Sequence, residues 1–278
     1  MSEFILPAHA WPAMPPPHRA FLERALPVLR ADARLVGVAA GGSFIAGVLD
    51  EHSDLDLVVV SRAEAAADVL AGGQDLARRL GTLLVAFPGD HVGELRLLVC
   101  LYGSPLLHVD FKFVSTGELR HRVEDPTILW DRTGEVRAVL SETGAVYPPP
   151  DLQWIEDRFW PWMHYLGVKI ARGELFEAID GLGFVRAHVL GPLALSEAGA
   201  QPNGVRRVEQ SVPDRAGELR ATVPAHEAAS CRRALAATVA LYADLRDRIS
   251  PPTLVRRAEA EDAVRTFLEL PPRCSKRS

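Results

Sequence analysis

A run of three consecutive prolines, Pro148–Pro150, separates two stretches whose hydrophobic patterns are typical of different structures. Before the prolines, short apolar segments alternate with turns that contain glycine or proline, which is typical of strands. After them, apolar residues recur every three or four positions, the spacing of helices that bury one face. Because consecutive prolines form a stiff linker, we expect a domain boundary there. The patterns predict an α+β protein with a mixed-sheet domain at 18–147 and a helical bundle at 151–270.

The first stretch contains both kinds of element. Helical spacing of apolar residues predicts a helix at 20–29, and an alanine-rich segment predicts another at 63–80. Five strands are predicted, at residues 35–40, 55–60, 82–87, 95–101 and 106–114.

The second stretch shows only helical patterns, and no strand is predicted in it. Its apolar periodicity predicts four helices, at residues 159–170, 174–190, 235–249 and 254–268. Gly173 is expected to end the first of these helices, and Gly191-Pro192 the second, because glycine and proline interrupt helices.

Charge and composition exclude several classes of protein. The 31 Lys and Arg residues against 36 Asp and Glu give a net charge of −5, so no stable nucleic-acid partner is expected. No apolar run reaches the roughly 18 residues of a membrane span, and no signal peptide or membrane partner is expected. Cys100, Cys231 and Cys274 form no CxxC pair, which favours a reducing, cytoplasmic setting.

The segment from Gly41 to Val60 combines a turn with two spaced acids. Gly42-Ser43 follows a predicted strand and offers backbone N–H groups and a hydroxyl to an anion such as a nucleotide phosphate. Asp54 and Asp56 are two residues apart at the start of the next strand and therefore project to one face. Two carboxylates on one face are ligands that suit Mg²⁺.

A third carboxylate is predicted to join this pair. In the strand at 106–114, alternation places His108, Asp110 and Lys112 on one face and apolar residues on the other. Polar side chains on one face of a buried strand are expected to have binding partners, because burying polar groups without partners costs free energy. Asp110 is accordingly the candidate for completing a two-metal site.

Together these residues resemble the nucleotidyltransferase superfamily of DNA polymerase β. Its signature is a Gly-Ser turn, an arm of about ten residues, an Asp-x-Asp pair entering a strand and a distant third Asp. Gly42-Ser43, Asp54-Leu55-Asp56 and Asp110 match it, and Ser53 precedes the pair as it commonly does. One difference is that Phe44–Gly47 lacks the arginine of many small members. The resemblance covers roughly residues 18–115 and implies a nucleotidyltransferase fold for the first domain.

The resemblance also implies an activity, the transfer of a nucleoside monophosphate from Mg²⁺-NTP to an acceptor. Gly42 and Ser43 would bind the triphosphate, and the three aspartates would hold two Mg²⁺ ions, with Asp110 beside the attacking hydroxyl. ATP is the expected co-substrate, with other NTPs open. Lys112 is a further candidate for contacting the nucleotide, because lysine is rare in this chain.

An α/β domain followed by a helical bundle is similar in architecture to the aminoglycoside and lincosamide adenylyltransferases. This similarity implies a small-molecule acceptor such as an aminoglycoside-like antibiotic. The three aspartates alone leave another metabolite, a protein or a tRNA end open as the acceptor. Tyr165, Lys169 and Arg172 share a helix face that we expect to approach the triphosphate. The acids from Glu174 to Asp180 are expected nearer the acceptor.

Two other functions remain open on sequence grounds. One is a non-catalytic or regulatory protein of the same fold, antitoxin-like, that acts on a protein or RNA partner. Retention of all three aspartates and the long second stretch argue against it. The other is a glycosyltransferase that uses Asp-x-Asp to hold a metal, and the Gly-Ser turn at this distance argues against that.

Overall fold

The described residues of this chain, 3–271 of a computed structural model, form two compact units. The first ends at Tyr147 and the second begins at Pro148. The predicted α+β class is confirmed, because a mixed sheet lies in the first unit and only helices are found among residues 148–271 of the second. Cys274, one of the three cysteines of the sequence, lies outside the described residues.

The first unit is built on a seven-stranded sheet. In chain order the strands are β1 (Phe4–Ile5), β2 (Leu35–Ala40), β3 (Leu55–Ser61), β4 (Leu83–Gly89), β5 (Glu94–Tyr102), β6 (Leu107–Ser115) and β7 (Thr127–Asp131). Their spatial order is β1-β7-β2-β3-β6-β5-β4. All neighbours are antiparallel except β3 and β6, which run parallel at the centre.

Helices cover the sheet unequally. The first unit's helices are α1 (Pro16–Ala31), α2 (Ser43–Ala46), α3 (Ala66–Ala71), α4 (Gly73–Leu80) and α5 (Glu135–Glu142). One sheet face packs on α1, α3 and α4 to form the main core. On the other face, Val60 and Val114 pack against Val136 of α5 to form a smaller apolar cluster. The remainder of that face carries both polar and apolar side chains, since Val99 of β5 is paired with Asp110.

Each of the five predicted strands is present, with ends within two residues of the prediction. The single helix predicted at 63–80 is wrong in detail, because Gly72 separates α3 from α4. Glycine costs about 1 kcal/mol relative to alanine inside a helix, so it favours such a break. Strands β1 and β7 and helix α5 were not predicted.

The second unit consists of helices that surround one apolar core. They are α6 (Leu152–Ala171), α7 (Leu175–Val185), α8 (Gly191–Glu197), α9 (Val208–Ser211), α10 (Pro213–Ala221), α11 (Ala228–Ile249) and α12 (Ala258–Phe267). Gly173 adopts a φ of +75° and separates α6 from α7, as expected of a glycine after a helix. The short helices α9 and α10 were not predicted.

The prediction that Gly191-Pro192 stops a helix is wrong. A π-helical turn at Arg186–Leu190 joins α7 to α8, and the helix continues through Pro192 to Glu197. The π turn starts a new hydrogen-bond register, so Pro192 occupies a first-turn position, where its missing N–H costs little. This 23-residue helix is apolar enough to span a membrane by composition, yet 56% of its most apolar window is buried within the protein, as in the core of a bundle.

A buried ionic cluster ties three helices of the second unit together. Arg246 of α11 contacts Glu156 of α6 at 3.4 Å and Glu261 of α12 at 3.0 Å. All three residues are almost fully buried. The hydroxyl of Tyr242 also donates to Glu156, at 2.5 Å. Removing one partner would leave a buried charge uncompensated, so this cluster fixes how the three helices pack.

Candidate active site

Three carboxylates converge on the polar part of the sheet. The parallel pairing of β3 and β6 places Asp56 directly opposite Asp110, and Asp54 lies just before β3. One carboxylate oxygen from each residue lies within 4.8 Å of those of the other two, and all three residues are half-buried. The structure thus brings together the three aspartates singled out from the sequence.

Side-chain alternation explains why these acids share a face. Leu55 and Leu57 of β3, and Val109 and Phe111 of β6, all point into the main core. The residues between them, Asp56 and Asp110, must therefore project to the opposite side of the sheet.

The electrostatics of the cluster favour a bound cation. Burial raises the pKa of Asp110, and the neighbouring negative charge of Asp54 raises it further. His108 opposes this rise, since its Nε2 lies 2.9 Å from Asp110 Oδ1. Carboxylate oxygens are the ligands that Mg²⁺ and other hard cations prefer, so the donor set fits a divalent ion of this kind.

The Gly41-Gly42 turn lies against Asp56. The N–H of Gly41 donates to the Asp56 carbonyl at 2.8 Å. Gly42 has a φ of +55° and a ψ of −131°, and a Cβ placed there would lie 2.1 Å from Asp56 Oδ2. Only glycine combines this backbone conformation with such a close approach. Ser43, which is buried, begins α2 directly after the turn.

The arm between the turn and the acids is held at its end by Ser53. The Ser53 hydroxyl donates to Asp50 Oδ1 at 2.9 Å and accepts from the Asp50 N–H at 3.0 Å. The Ser53 carbonyl lies 2.7 Å from Nε2 of the buried His18 on α1. These bonds fix the chain immediately before Asp54.

Lys112 lies two residues from Asp110 on β6, and its charge is already matched. Its Nζ lies 2.9 Å from Glu94 on β5, which also forms a bidentate pair with Arg96. The Arg96 hydrogen bond and then Lys112 lower the pKa of Glu94 to about 2, against the opposing effect of its burial.

Lys169 and Arg172 both belong to the second unit. Lys169 Nζ lies 2.5 Å from Glu174 and 2.9 Å from Glu177, and the Tyr165 hydroxyl donates to Glu177. Arg172 follows α6 and lies 4.0 Å from Glu174. The structure therefore pairs Lys169 and Arg172 with Glu174, one of the acids predicted to lie near the acceptor.

Sequence reasoning missed Glu124. Its Oε1 accepts the Gly42 N–H at 2.9 Å, so a fourth carboxylate contacts the turn. Gly42 and Glu124 are 82 positions apart, and no spacing rule connects them.

No protein-family model and no curated protein sequence matches this chain. Among solved structures, it is similar to an aminoglycoside 6-adenyltransferase from Bacillus subtilis, with a TM-score of 0.42 and 12% identity over 89% of this chain and 96% of that one. It is also similar to a nucleotidyltransferase-like protein from Exiguobacterium sibiricum, with a TM-score of 0.37 and 16% identity over 91% and 85% of the two chains. A CCA-adding enzyme matches with a TM-score of 0.35 and 12% identity over 91% and 70%. The first two neighbours, an adenyltransferase and a nucleotidyltransferase-like protein, bear names of the class that the sequence resembles.

Proposed function

We propose that this protein is a Mg²⁺-dependent nucleotidyltransferase that transfers a nucleoside monophosphate, expected to be AMP, from Mg²⁺-NTP to a hydroxyl of a small molecule. An aminoglycoside-like antibiotic is one acceptor of this kind. The observation that carries the proposal is the convergence of Asp54, Asp56 and Asp110 beside a glycine turn that packs against Asp56.

Asp54, Asp56 and Asp110 would hold the metal. Two Mg²⁺ ions bound there would neutralise charge on the triphosphate and stabilise the attacking and leaving oxygens. Three carboxylates suit this purpose, because bound cations relieve their mutual repulsion.

Asp110 would act closest to the acceptor. His108 contacts this carboxylate, with its Nε2 2.9 Å from Asp110 Oδ1, and would orient it toward the acceptor hydroxyl. In the proposed step the acceptor oxygen forms a bond to the α-phosphorus, and the bond from that phosphorus to the β-phosphate oxygen breaks. Pyrophosphate leaves, and the hydroxyl proton passes to the Asp110 carboxylate.

The remaining predicted contacts belong to the same proposal. Gly42 and Ser43 would bind the triphosphate at the turn that adjoins Asp56. Because the Gly42 N–H already donates to Glu124, the hydroxyl and N–H of Ser43 would make the hydrogen bonds to the phosphates. Positive charge would come from Lys112, Lys169 and Arg172. These side chains now contact carboxylates, so the phosphates would have to displace those carboxylates.

The proposal is tested by acceptor screening. The protein is incubated with Mg²⁺, each of the four NTPs and a panel of hydroxyl-bearing acceptors that includes aminoglycosides. Pyrophosphate release and an acceptor mass increase of one nucleotide are measured. Asp54→Asn should abolish both signals, whereas Asp75→Asn, which alters an exposed acid on α4, should leave them unchanged.

Two results would count against the proposal. Equal turnover by the Asp54→Asn variant would mean that the cluster does not catalyse transfer. Metal and NTP binding without transfer to any acceptor would favour the regulatory alternative.

A further inference from the structure

Glu124 contacts the turn that lies against the metal-site candidate. Its Oε1 accepts the Gly42 N–H at 2.9 Å, and a Cβ placed on Gly41 would lie only 2.4 Å from the same oxygen. The turn also meets Asp56, whose Oδ2 would lie 2.1 Å from a Cβ on Gly42. The turn therefore contacts two carboxylates from different parts of the chain.

Sheet register brings Glu124 to this position. Ala40, the last residue of β2, pairs with Thr127, the first residue of β7. Gly41 and Gly42 continue from the end of β2, and Glu124 precedes the start of β7 by three residues. Both segments consequently leave the sheet at the same end, side by side.

The loop that carries Glu124 is anchored by a buried arginine. The Arg122 side chain is 7% exposed and donates to Asp125 and to the Thr143 hydroxyl, both at 2.6 Å. It also donates to the carbonyls of Thr143 and Leu140, the latter at 3.1 Å. A charged side chain with four acceptors holds its loop firmly, so Glu124 is presented from a fixed support.

We infer that Glu124 is a positioning residue for the metal site: its hydrogen bond to Gly42 holds the turn against Asp56 and so keeps that carboxylate directed at Asp54 and Asp110. The inference rests on the proposed function, because it takes the three aspartates to be metal ligands. Partners that orient ligand carboxylates commonly affect metal affinity without touching the metal.

Substitutions at position 124 can distinguish a role for the hydrogen bond from a role for the negative charge. If the hydrogen bond matters, an amide oxygen at the same reach can replace the carboxylate. If charge matters, a shorter acid should suffice. Glu124→Gln keeps the reach and loses the charge, whereas Glu124→Asp keeps the charge and withdraws the oxygen by one methylene.

The experiment is a calorimetric titration of the full chain with Mn²⁺, a probe for hard divalent cations, without nucleotide. Glu124→Asp and Glu124→Ala should bind Mn²⁺ about tenfold or more weakly than wild type. Glu124→Gln should stay within about twofold, because a neutral acceptor still satisfies the Gly42 N–H. The matched control is Glu118→Ala, which removes a carboxylate that accepts the Ser115 N–H at 2.8 Å on the same unit, and its Mn²⁺ affinity should equal that of wild type.

The outcomes separate the two claims. Should the Ala variant fail to fold, the Asp and Gln variants still decide the question. Full Mn²⁺ affinity in Glu124→Asp would overturn the positioning role while leaving the proposed function intact. Weak binding by Glu124→Gln alone would show that charge, and not position, is what matters. A wild-type protein that binds no Mn²⁺ would contradict both claims.

Discussion

Replacing Gly42 with alanine should damage the metal site more than the fold. The φ of +55° and ψ of −131° at Gly42 lie outside the regions that L-residues adopt readily, which costs about 1–3 kcal/mol of stability. The new Cβ would also stand 2.1 Å from Asp56 Oδ2. Rotation of the Asp56 side chain relieves this clash cheaply, but it moves the carboxylate away from Asp54 and Asp110. We therefore expect a loss of Mn²⁺ affinity of about tenfold or more.

Gly93 provides the matched control for this substitution. It also has a positive φ, +74°, but a Cβ there would meet no heavy atom within 4 Å. Gly93→Ala should cost about 1–2 kcal/mol for the left-handed backbone alone and leave Mn²⁺ affinity unchanged. Urea unfolding followed by circular dichroism gives the stabilities, and calorimetry gives the affinities. If Gly42→Ala binds Mn²⁺ as Gly93→Ala does, the close approach of the turn to Asp56 has no functional role.

Three further predictions concern single side chains. Asp110→Asn should lower transfer by more than about a hundredfold in a pyrophosphate-release assay. Its thermal stability without metal should be at least that of wild type, because the substitution removes a desolvated charge. Turnover equal to that of wild type would show that Asp110 has only a structural role. Glu94 has its pKa lowered to about 2 from 4.5, so its ionised form stabilises the fold above pH 4.5, and that stabilisation is lost as the pH falls toward 2. Glu94→Gln should thus be less stable than wild type at pH 6, by about 1–2 kcal/mol after solvent screening. In urea titrations this difference in unfolding free energy should shrink as the pH falls below 4.5. A difference that does not change with pH would refute this prediction. Lys169→Ala should weaken Mg²⁺-ATP binding in calorimetry, because it removes a positive charge proposed to contact the phosphates in place of Glu174 and Glu177. Unchanged affinity would remove Lys169 from the nucleotide site.

Five strands of the first unit could be predicted because each apolar run is a property of its own segment. Strand β7 spans only Thr127–Asp131, and it is a strand because it pairs with both β1 and β2. The apolar run at 128–130 follows Pro126 and is itself a strand pattern, which sequence reasoning missed. The break at Gly72 also had a local signal in the Gly72-Gly73 pair. The continuation through Pro192 depends on hydrogen-bond register, which periodicity does not report.

The sequence predicted only the part of the carboxylate cluster that follows from the alternation of side chains along a strand. Alternation places Asp54 and Asp56 on one face, and it places Asp110 on one face of its own strand. The parallel pairing that sets Asp56 opposite Asp110 had to come from the structure. The contact between Glu124 and Gly42 lies beyond both arguments, because it joins a loop to a turn across two strand ends.

The parallel register of β3 and β6 also has a consequence for how such a chain can diverge. The three aspartates lie on β3 and β6 or directly before β3, so the segment from 62 to 106, with α3, α4, β4 and β5, contributes no carboxylate to the cluster. The helices and strands of this segment pack in the main core, but the loops between them tolerate insertion and substitution more readily. Those loops could therefore change in sequence or length while the acids keep their positions in space. A lineage with this arrangement can lose detectable sequence similarity long before it loses its chemistry.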